Sequence, residues 1–242
     1  TSFVVPQKFN VINSNSRFLE RYRDVDLSRF SLEDNTLFHS SYYRLPKGNG
    51  SKVVTTVHDF TYEKYISGSK LMIHKWQKYR AIKSSDIVIC VSENTANDLL
   101  EYCPIDKNKI RVVYNGVSDD YFHIPESKNL NVIVFVGSRA NYKNFDLAVL
   151  AVSLTDDFEL HIVGGGALTQ KEVATLEKYL PNRYRWLGYL ANDKLNSVFN
   201  SAHCLLYPSS YEGFGIPILE AMRAGCPVIS SNKSSIPEVA GN

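Results

Sequence analysis

Five consecutive apolar residues, Val132-Ile133-Val134-Phe135-Val136, run directly into Gly137 and then into a helical pattern. A strand with no polar alternation needs cover on both of its faces. The same unit recurs along the chain. Short β-rich runs occur at 36–39, 52–57, 86–91, 110–114, 131–136, 158–163, 184–187, 203–207 and 227–230. They alternate with helical patterns at 69–83, 93–102, 144–153, 168–179, 193–201 and 215–224. Strands that alternate with helices predict an α/β fold with parallel sheets between helical layers. Residues 118–125 interrupt the pattern before a fresh buried strand begins at Asn131, so a boundary is expected near 121–129. Residues 1–30 show scattered apolar positions and no readable period.

Composition narrows the function classes. The net charge of +2 is far from the basic balance of a nucleic-acid-binding domain. Aromatic residues at 12% supply ample core material, which excludes disorder as the main state. The clearest apolar runs, 132–136 and 204–207, fall well short of the roughly 18–20 residues that span a bilayer. Residues 1–10 carry no basic start followed by an apolar stretch, so no signal peptide is expected there. Cys90, Cys103, Cys204 and Cys226 form no CxxC pair, and zinc or disulfide frameworks are not expected. Buried free thiols fit a reducing, cytoplasmic setting.

The richest stretch for chemistry is Tyr207-Pro-Ser-Ser-Tyr-Glu212-Gly213-Phe214-Gly215-Ile216-Pro217-Ile-Leu-Glu220-Ala-Met-Arg-Ala-Gly-Cys-Pro-Val228. A buried strand ends at Tyr207, a Ser/Gly loop follows, and a helix begins with Pro217 in its first turn, where a missing N–H costs little. Gly213 and Gly215 let backbone N–H groups approach a ligand closely. The helix N-terminus favours an anion or a dense set of hydroxyls. Glu212 and Glu220 flank this loop, and both can face the crevice at the carboxyl ends of the strands. Carboxylates there suit sugar hydroxyls. For an isolated pair, the alternative is that Glu212 caps the helix and Glu220 lies on the surface.

This string resembles the signature of the retaining glycosyltransferase family 4 (glycosyl transferase group 1), with Glu212 and Glu220 as its spaced glutamates. The resemblance runs from about Phe38 to Asn242 and is specific over 136–144 and 207–239. It implies the GT-B architecture, two Rossmann-like parallel-sheet domains facing a cleft. Residues 1–125 would form a partial N-terminal, acceptor-side domain, and residues 126–242 the C-terminal domain that binds the nucleotide-sugar donor. It also implies a hexosyltransferase that needs no metal ion and no cofactor. Its donor would be a GDP- or UDP-linked hexose, moved with retention to a glycan or lipid-linked acceptor. Bacterial surface polysaccharide, O-antigen or capsule, is the implied setting.

Other segments fit the resemblance. Gly137-Ser-Arg139-Ala-Asn-Tyr-Lys143-Asn144 places a glycine turn and two cations between a strand and a helix, which is a phosphate site on physical grounds. Arg139 can present a bidentate fork and Lys143 a point charge. In the family the equivalent cations hold the diphosphate as it leaves. His161-Ile-Val-Gly164-Gly165-Gly166 ends a strand in glycines beside the nucleotide; a plain turn leading into a helix explains it equally well. It is not the GxGxxG of a nicotinamide site. Trp186-Leu-Gly188-Tyr189-Leu190 resembles the loop near the base.

In the first half, Val53-Val-Thr-Thr-Val57-His58-Asp59 ends a strand, and His58 resembles the histidine that faces the donor sugar. Asp59 either orients His58 or caps a turn. Ser92-Glu-Asn-Thr95 reads as a helix cap and Asn115-Gly116 as a tight turn. The segment with Lys64, Lys70, Lys75, Lys78, Arg80 and Lys83 also carries Met72, Ile73, Trp76 and Tyr79. Such a helix can rest on an anionic membrane, at the inner face of the cell, or pack its aromatics on its own domain.

No segment of residues 1–50 matches the glycine-rich loop of the family's first domain, and the family's final strand and returning helix have no counterpart before Asn242. Two domains on this plan call for roughly 300 residues. We therefore expect a shortened chain that binds a nucleotide but transfers sugar slowly or not at all on its own. A non-catalytic nucleotide-sugar-binding or assembly subunit is the alternative; an epimerase of the same architecture is a weaker rival.

Overall fold

The computed structural model describes residues 23–27, 36–40, 42–48, 50–127 and 130–241. Most of residues 1–50, including the region where the glycine-rich loop was sought, lies outside the described residues. The strand and helix alternation produces two parallel sheets. In the first, strands β2 (Leu37–Ser40), β4 (Lys52–Val57), β5 (Ile87–Cys90) and β6 (Ile110–Val112) pair in the order β2-β4-β5-β6. A two-residue parallel pair, β1 (Val25–Asp26) with β3 (Pro46–Lys47), lies beside it in the chain. In the second, strands β7 (Val132–Val136), β8 (Glu159–Val163), β9 (Tyr184–Gly188), β10 (Cys204–Tyr207) and β11 (Val228–Ser230) pair in the order β11-β10-β7-β8-β9.

The unbroken apolar run of β7 follows from its central place. All five of its residues are buried. Val132, Val134 and Val136 join one core with helices α6 (Asn192–Ser201) and α7 (Ile216–Arg223), through Leu195, Phe199, Ile218 and Ala221. Ile133 and Phe135 face the opposite core, with helices α4 (Phe145–Ser153) and α5 (Gln170–Tyr179), through Phe145, Val149, Val152 and Leu176. Successive residues therefore feed two helical layers, as a period of two requires. Each such side chain contributes roughly 1.5–3 kcal/mol by leaving water.

Helix boundaries follow local chemistry. Helix α3 (Glu93–Tyr102) starts after Ser92, whose hydroxyl accepts from the Thr95 N–H. Helix α5 starts at Gln170, two residues after the expected 168, because Thr169 and Glu172 form a reciprocal capping box. Helix α7 starts after Gly215, which takes φ +100°. Asp86 stays outside β5 because its carboxylate accepts the Val53 N–H at 2.8 Å and so closes the strand's start. The expected helix at 69–83 appears as α2 (Ser69–Ser84), and Ser235 precedes the short α8 (Ile236–Ala240). Helix α1 (Thr61–Tyr65) and strands β1 and β3 were not expected; two to five residues are too few to show a period.

The segment expected at the boundary is pinned rather than free. Tyr121 is buried in the core of the second sheet. The N–H groups of Phe122 and Ile124 donate to the side chains of Asn196 and Asn200, at 3.1 and 2.6 Å, on one face of α6.

Candidate functional site

Two loops at the carboxyl ends of β7 and β10 meet and are stitched together. After β7 and Gly137, a single 3₁₀ turn (Asn141–Lys143) leads to Asn144 in the left-handed region at φ 53°. The Asn144 amide donates to the Pro208 carbonyl and the Ser210 hydroxyl at 2.7 and 2.8 Å. The Ser210 N–H returns to the Tyr142 carbonyl at 2.7 Å.

This brings Lys143 and Glu212 together. The Lys143 Nζ lies 2.5 Å from the Glu212 Oε1, with only 12% and 11% of the two side chains exposed. The Lys143 ammonium also donates to the Tyr207 hydroxyl at 3.3 Å. Burial, and next the Glu212 charge, push the Tyr207 pKa far up, so its hydroxyl keeps its proton. Glu212 does not cap α7; it pairs with a cation 69 residues away. Its backbone is held as well. The Glu212 N–H donates to the Ser234 hydroxyl at 3.2 Å, and the Glu212 carbonyl accepts from Ser234 and Ser235 at 2.6 and 2.9 Å.

Glu220 is not a surface residue. It is half-buried on α7, and burial raises its pKa against the pull of the Tyr121 hydroxyl. Phe214 is buried and lies 5.7 Å from the Tyr114 ring. Ile216 is 37% exposed at the start of α7, where Pro217 has no N–H and the Ile218 N–H donates to the Gly215 carbonyl at 3.0 Å. Tyr189 is 90% exposed and stands free of the protein surface.

Arg139 is placed differently from expectation. Its fork does not point outward for a phosphate. Nη1 donates to the Gly164 carbonyl at 3.0 Å, and Nη2 faces the carbonyls of Gly165, Gly166 and Ala167 at 3.2, 3.1 and 2.8 Å. Nε donates to Glu172 at 2.8 Å, and only 3% of the arginine side chain is exposed. Three successive glycines at φ +82°, +73° and +76° turn their carbonyls toward this cation. A side chain at Gly165 would run into Arg139 and the Gly137 carbonyl. Burial disfavours the Glu172 carboxylate, yet the Thr169 N–H and Arg139 outweigh it and hold its pKa below the ordinary value. The physical reason is local. Consecutive left-handed residues leave carbonyls unpaired by strand or helix, and the guanidinium faces the three of them together with the Ala167 carbonyl.

His58 follows β4 with its side chain exposed, and its carbonyl packs directly on Gly213 across the two halves, so tightly that no Cβ fits there. Asp59 serves as a turn cap, since its Oδ1 accepts the Thr61 N–H at 2.9 Å at the start of α1.

The loop also reaches into the first half. Tyr211 is 4% exposed and belongs to the core of the first sheet, beside Phe60, Leu99 and Cys103. Neither Tyr211 nor Ser234 and Ser235 stood out as site residues in the sequence. The one signal for Tyr211 was a large amphipathic ring inside a Ser/Gly loop.

The basic segment is only partly a charged face. Lys78 is fully buried against Glu63 at 3.1 Å, and burial lowers its pKa. Lys64 pairs with Asp98 and Arg80 with Asp24. Met72, Ile73 and Trp76 are 72%, 51% and 59% exposed on α2, whereas Tyr79 packs against the core of the first sheet, so the helix only partly packs its aromatics on its own domain. Lys75 and Lys83 are exposed beside them. No described helix is long and apolar enough to cross a membrane.

Comparison with known proteins bears on both halves. The family described as "Glycosyl transferases group 1" matches residues 118–242, and "Glycosyltransferase Family 4" matches residues 9–121. Among curated relatives, "O-antigen chain mannosyltransferase B" of Escherichia coli is 26% identical over 93% of this chain and 65% of its own length. "Uncharacterized glycosyltransferase MJ1178" of Methanocaldococcus jannaschii is 27% identical over 95% of this chain and 68% of its own. Among solved structures, WaaG, "a glycosyltransferase involved in lipopolysaccharide biosynthesis", superposes with a TM-score of 0.68 at 18% identity, over 80% of this chain and 62% of that one. HepE of Anabaena, in complex with UDP-glucose, gives 0.66 at 18% identity, over 79% and 56%. The chain thus spans about two thirds of the length of these two curated relatives. The structural likenesses bear on the fold alone and bear out the GT-B architecture.

Proposed function

The chain belongs to the glycosyl transferases group 1 family, and on that premise we propose that it moves a hexose from a nucleotide diphosphate sugar to a glycan or lipid-linked acceptor, with retention, in the synthesis of a bacterial surface polysaccharide. The observation that carries this reading is the buried Lys143–Glu212 pair between two glycine-bearing loops, with Glu220 on the helix that follows.

Lys143 neutralises the diphosphate as the glycosidic bond lengthens, which is electrostatic stabilisation of developing charge. Glu212 and the backbone of Gly213, Phe214, Gly215 and Ile216 hold the transferred sugar. Glu220 binds ribose hydroxyls. Gly137 and Gly164 let the main chain approach the nucleotide, and Tyr189 lies beside the base. Arg139 acts through the turn at 164–167 that it holds, and its charge supports the diphosphate from behind. His58 offers a polar contact to the sugar. The acceptor hydroxyl attacks the face from which the phosphate departs, and a phosphate oxygen takes its proton, so configuration is retained. The names of the mannosyltransferase relatives favour mannose as the sugar.

The exposed Met72, Ile73 and Trp76, with Lys75 and Lys83, support a second partner, an anionic lipid surface at the cytoplasmic face of a membrane. Four free, buried cysteines are in keeping with that compartment.

The test is calorimetric titration of the chain with UDP, GDP and ADP, beside Lys143→Ala. Binding of one nucleotide, weakened by the substitution, is expected and names the base. Equal binding of that nucleotide by Lys143→Ala would remove Lys143 from the diphosphate site.

A further inference from the structure

Helix α3 belongs to the first sheet's half, yet one of its faces is occupied by the loop that carries Glu212. Ser92, Thr95 and Asp98 are spaced three residues apart and share that face. Ser92 and Thr95 are fully buried, and their hydroxyls lie 2.6 and 3.0 Å from the Gly213 carbonyl. Asp98, 6% exposed, accepts the Tyr211 hydroxyl at 2.7 Å. The same hydroxyl accepts the buried Phe60 N–H at 2.8 Å. Lys64 completes the group, 2.9 Å from the other Asp98 oxygen and 5.2 Å from the centre of the Tyr211 ring.

The consequence lies in the order of the residues. Tyr211 is clamped by its side chain and Gly213 by its carbonyl, and Glu212 stands between them. With both neighbours fixed to α3, the backbone of Glu212 has little freedom left, and its carboxylate is delivered to Lys143. The Glu238 carboxylate reinforces the contact by accepting the N–H groups of Glu93 and Asn94 at 2.8 and 3.0 Å, at the first turn of α3.

We infer that Asp98 and Tyr211 are positioning residues of the donor site, through which α3 sets where the Glu212 carboxylate stands against Lys143 and the transferred sugar. This rests on the reading that Lys143 and Glu212 hold the donor. On that reading both positioning residues stand behind the loop and away from the nucleotide, so their loss is felt in turnover and not in nucleotide affinity.

The experiment uses the full chain with Tyr211→Phe, Asp98→Ala, Asp98→Asn and the Tyr211→Phe/Asp98→Ala double variant. Calorimetry with UDP and GDP gives the nucleotide Kd, and release of UDP from UDP-glucose or GDP from GDP-mannose gives kcat and KM. Tyr211→Phe and Asp98→Ala are expected to lower kcat tenfold or more with Kd within threefold of the parent. Asp98→Asn keeps an oxygen that accepts the Tyr211 hydroxyl but loses the charge paired with Lys64, and is expected to keep a kcat at least threefold above that of Asp98→Ala. The double variant is expected to be no worse than the poorer single one. If Tyr211→Phe does not fold, the contrast between Asp98→Asn and Asp98→Ala carries the test. A kcat within twofold of the parent in Asp98→Ala, or an Asp98→Asn as poor as Asp98→Ala, overturns the inference alone. A parent chain that binds neither nucleotide overturns the donor-site reading, and the inference with it.

Discussion

Removing one member of the Lys143–Glu212 pair leaves the other charged in a site that is only about a tenth open to water. The separation of 2.5 Å corresponds to roughly 6–7 kcal/mol of attraction at an effective dielectric constant near 20. Desolvation of both ions offsets most of that, so the intact pair adds little net stability. Breaking it is costly, because the surviving ion keeps its desolvation and loses its partner. For buried pairs that loss is about 3–5 kcal/mol, and the residual exposure here argues for the lower end, about 3 kcal/mol. In a chain of this size 1 kcal/mol moves Tm by roughly 2–4 °C, so Lys143→Ala and Glu212→Gln should each lower Tm by about 6–12 °C. The double variant should recover most of the loss, since no ion is then stranded. Thermal unfolding followed by circular dichroism at neutral pH measures all four proteins. Single variants within 1 °C of the parent, or a double variant whose loss equals both single losses together, would refute the reasoning.

Three further predictions follow from particular contacts. Gly213→Ala would drive a methyl group into the His58 carbonyl; with backbone on both sides the halves must part, and we expect a loss of about 1–3 kcal/mol together with donor turnover, read by thermal unfolding and nucleotide release. Glu172 has a folded pKa below its unfolded value, so its stabilising contribution is full above the ordinary carboxylate pKa and disappears as pH falls through the folded value. Glu172→Gln should therefore lower Tm at pH 7 and leave a shallower acid limb; parallel pH–Tm curves for the two proteins would count against it. Replacing Trp76 and Met72 by serine should reduce sedimentation with phosphatidylglycerol vesicles at least fivefold and leave nucleotide binding unchanged, and equal sedimentation would argue that α2 does not meet lipid.

Much of the fold was legible because its signals are local. An all-apolar strand such as Val132–Val136 announces burial on two faces wherever it sits. Capping chemistry at Ser92 and Thr169 marks helix starts within four residues of sequence. The Glu212–Glu220 loop and the Gly137–Lys143 turn were recognisable as strings, and the structure brings Lys143 and Glu212 into contact. Short elements escaped because α1, β1 and β3 are shorter than one readable period.

What the sequence determined by itself was the alternation of strands and helices, their approximate limits, and which residues carry charge or glycine near the ends of β7 and β10. Those properties depend on neighbours a few residues away. Tertiary structure alone decided the partners. Arg139 could have faced a ligand, yet three left-handed glycines 25 to 27 residues on turn unpaired carbonyls to it. Asp59 could have oriented His58, yet the Thr61 N–H needed an acceptor. Tyr211 left its own sheet for the core of the other, because Asp98 and the Phe60 N–H offered its hydroxyl two hydrogen bonds inside an apolar pocket. A polar group takes whichever partner satisfies it when water is removed, and that partner stands up to 151 residues away in this chain, beyond any periodicity.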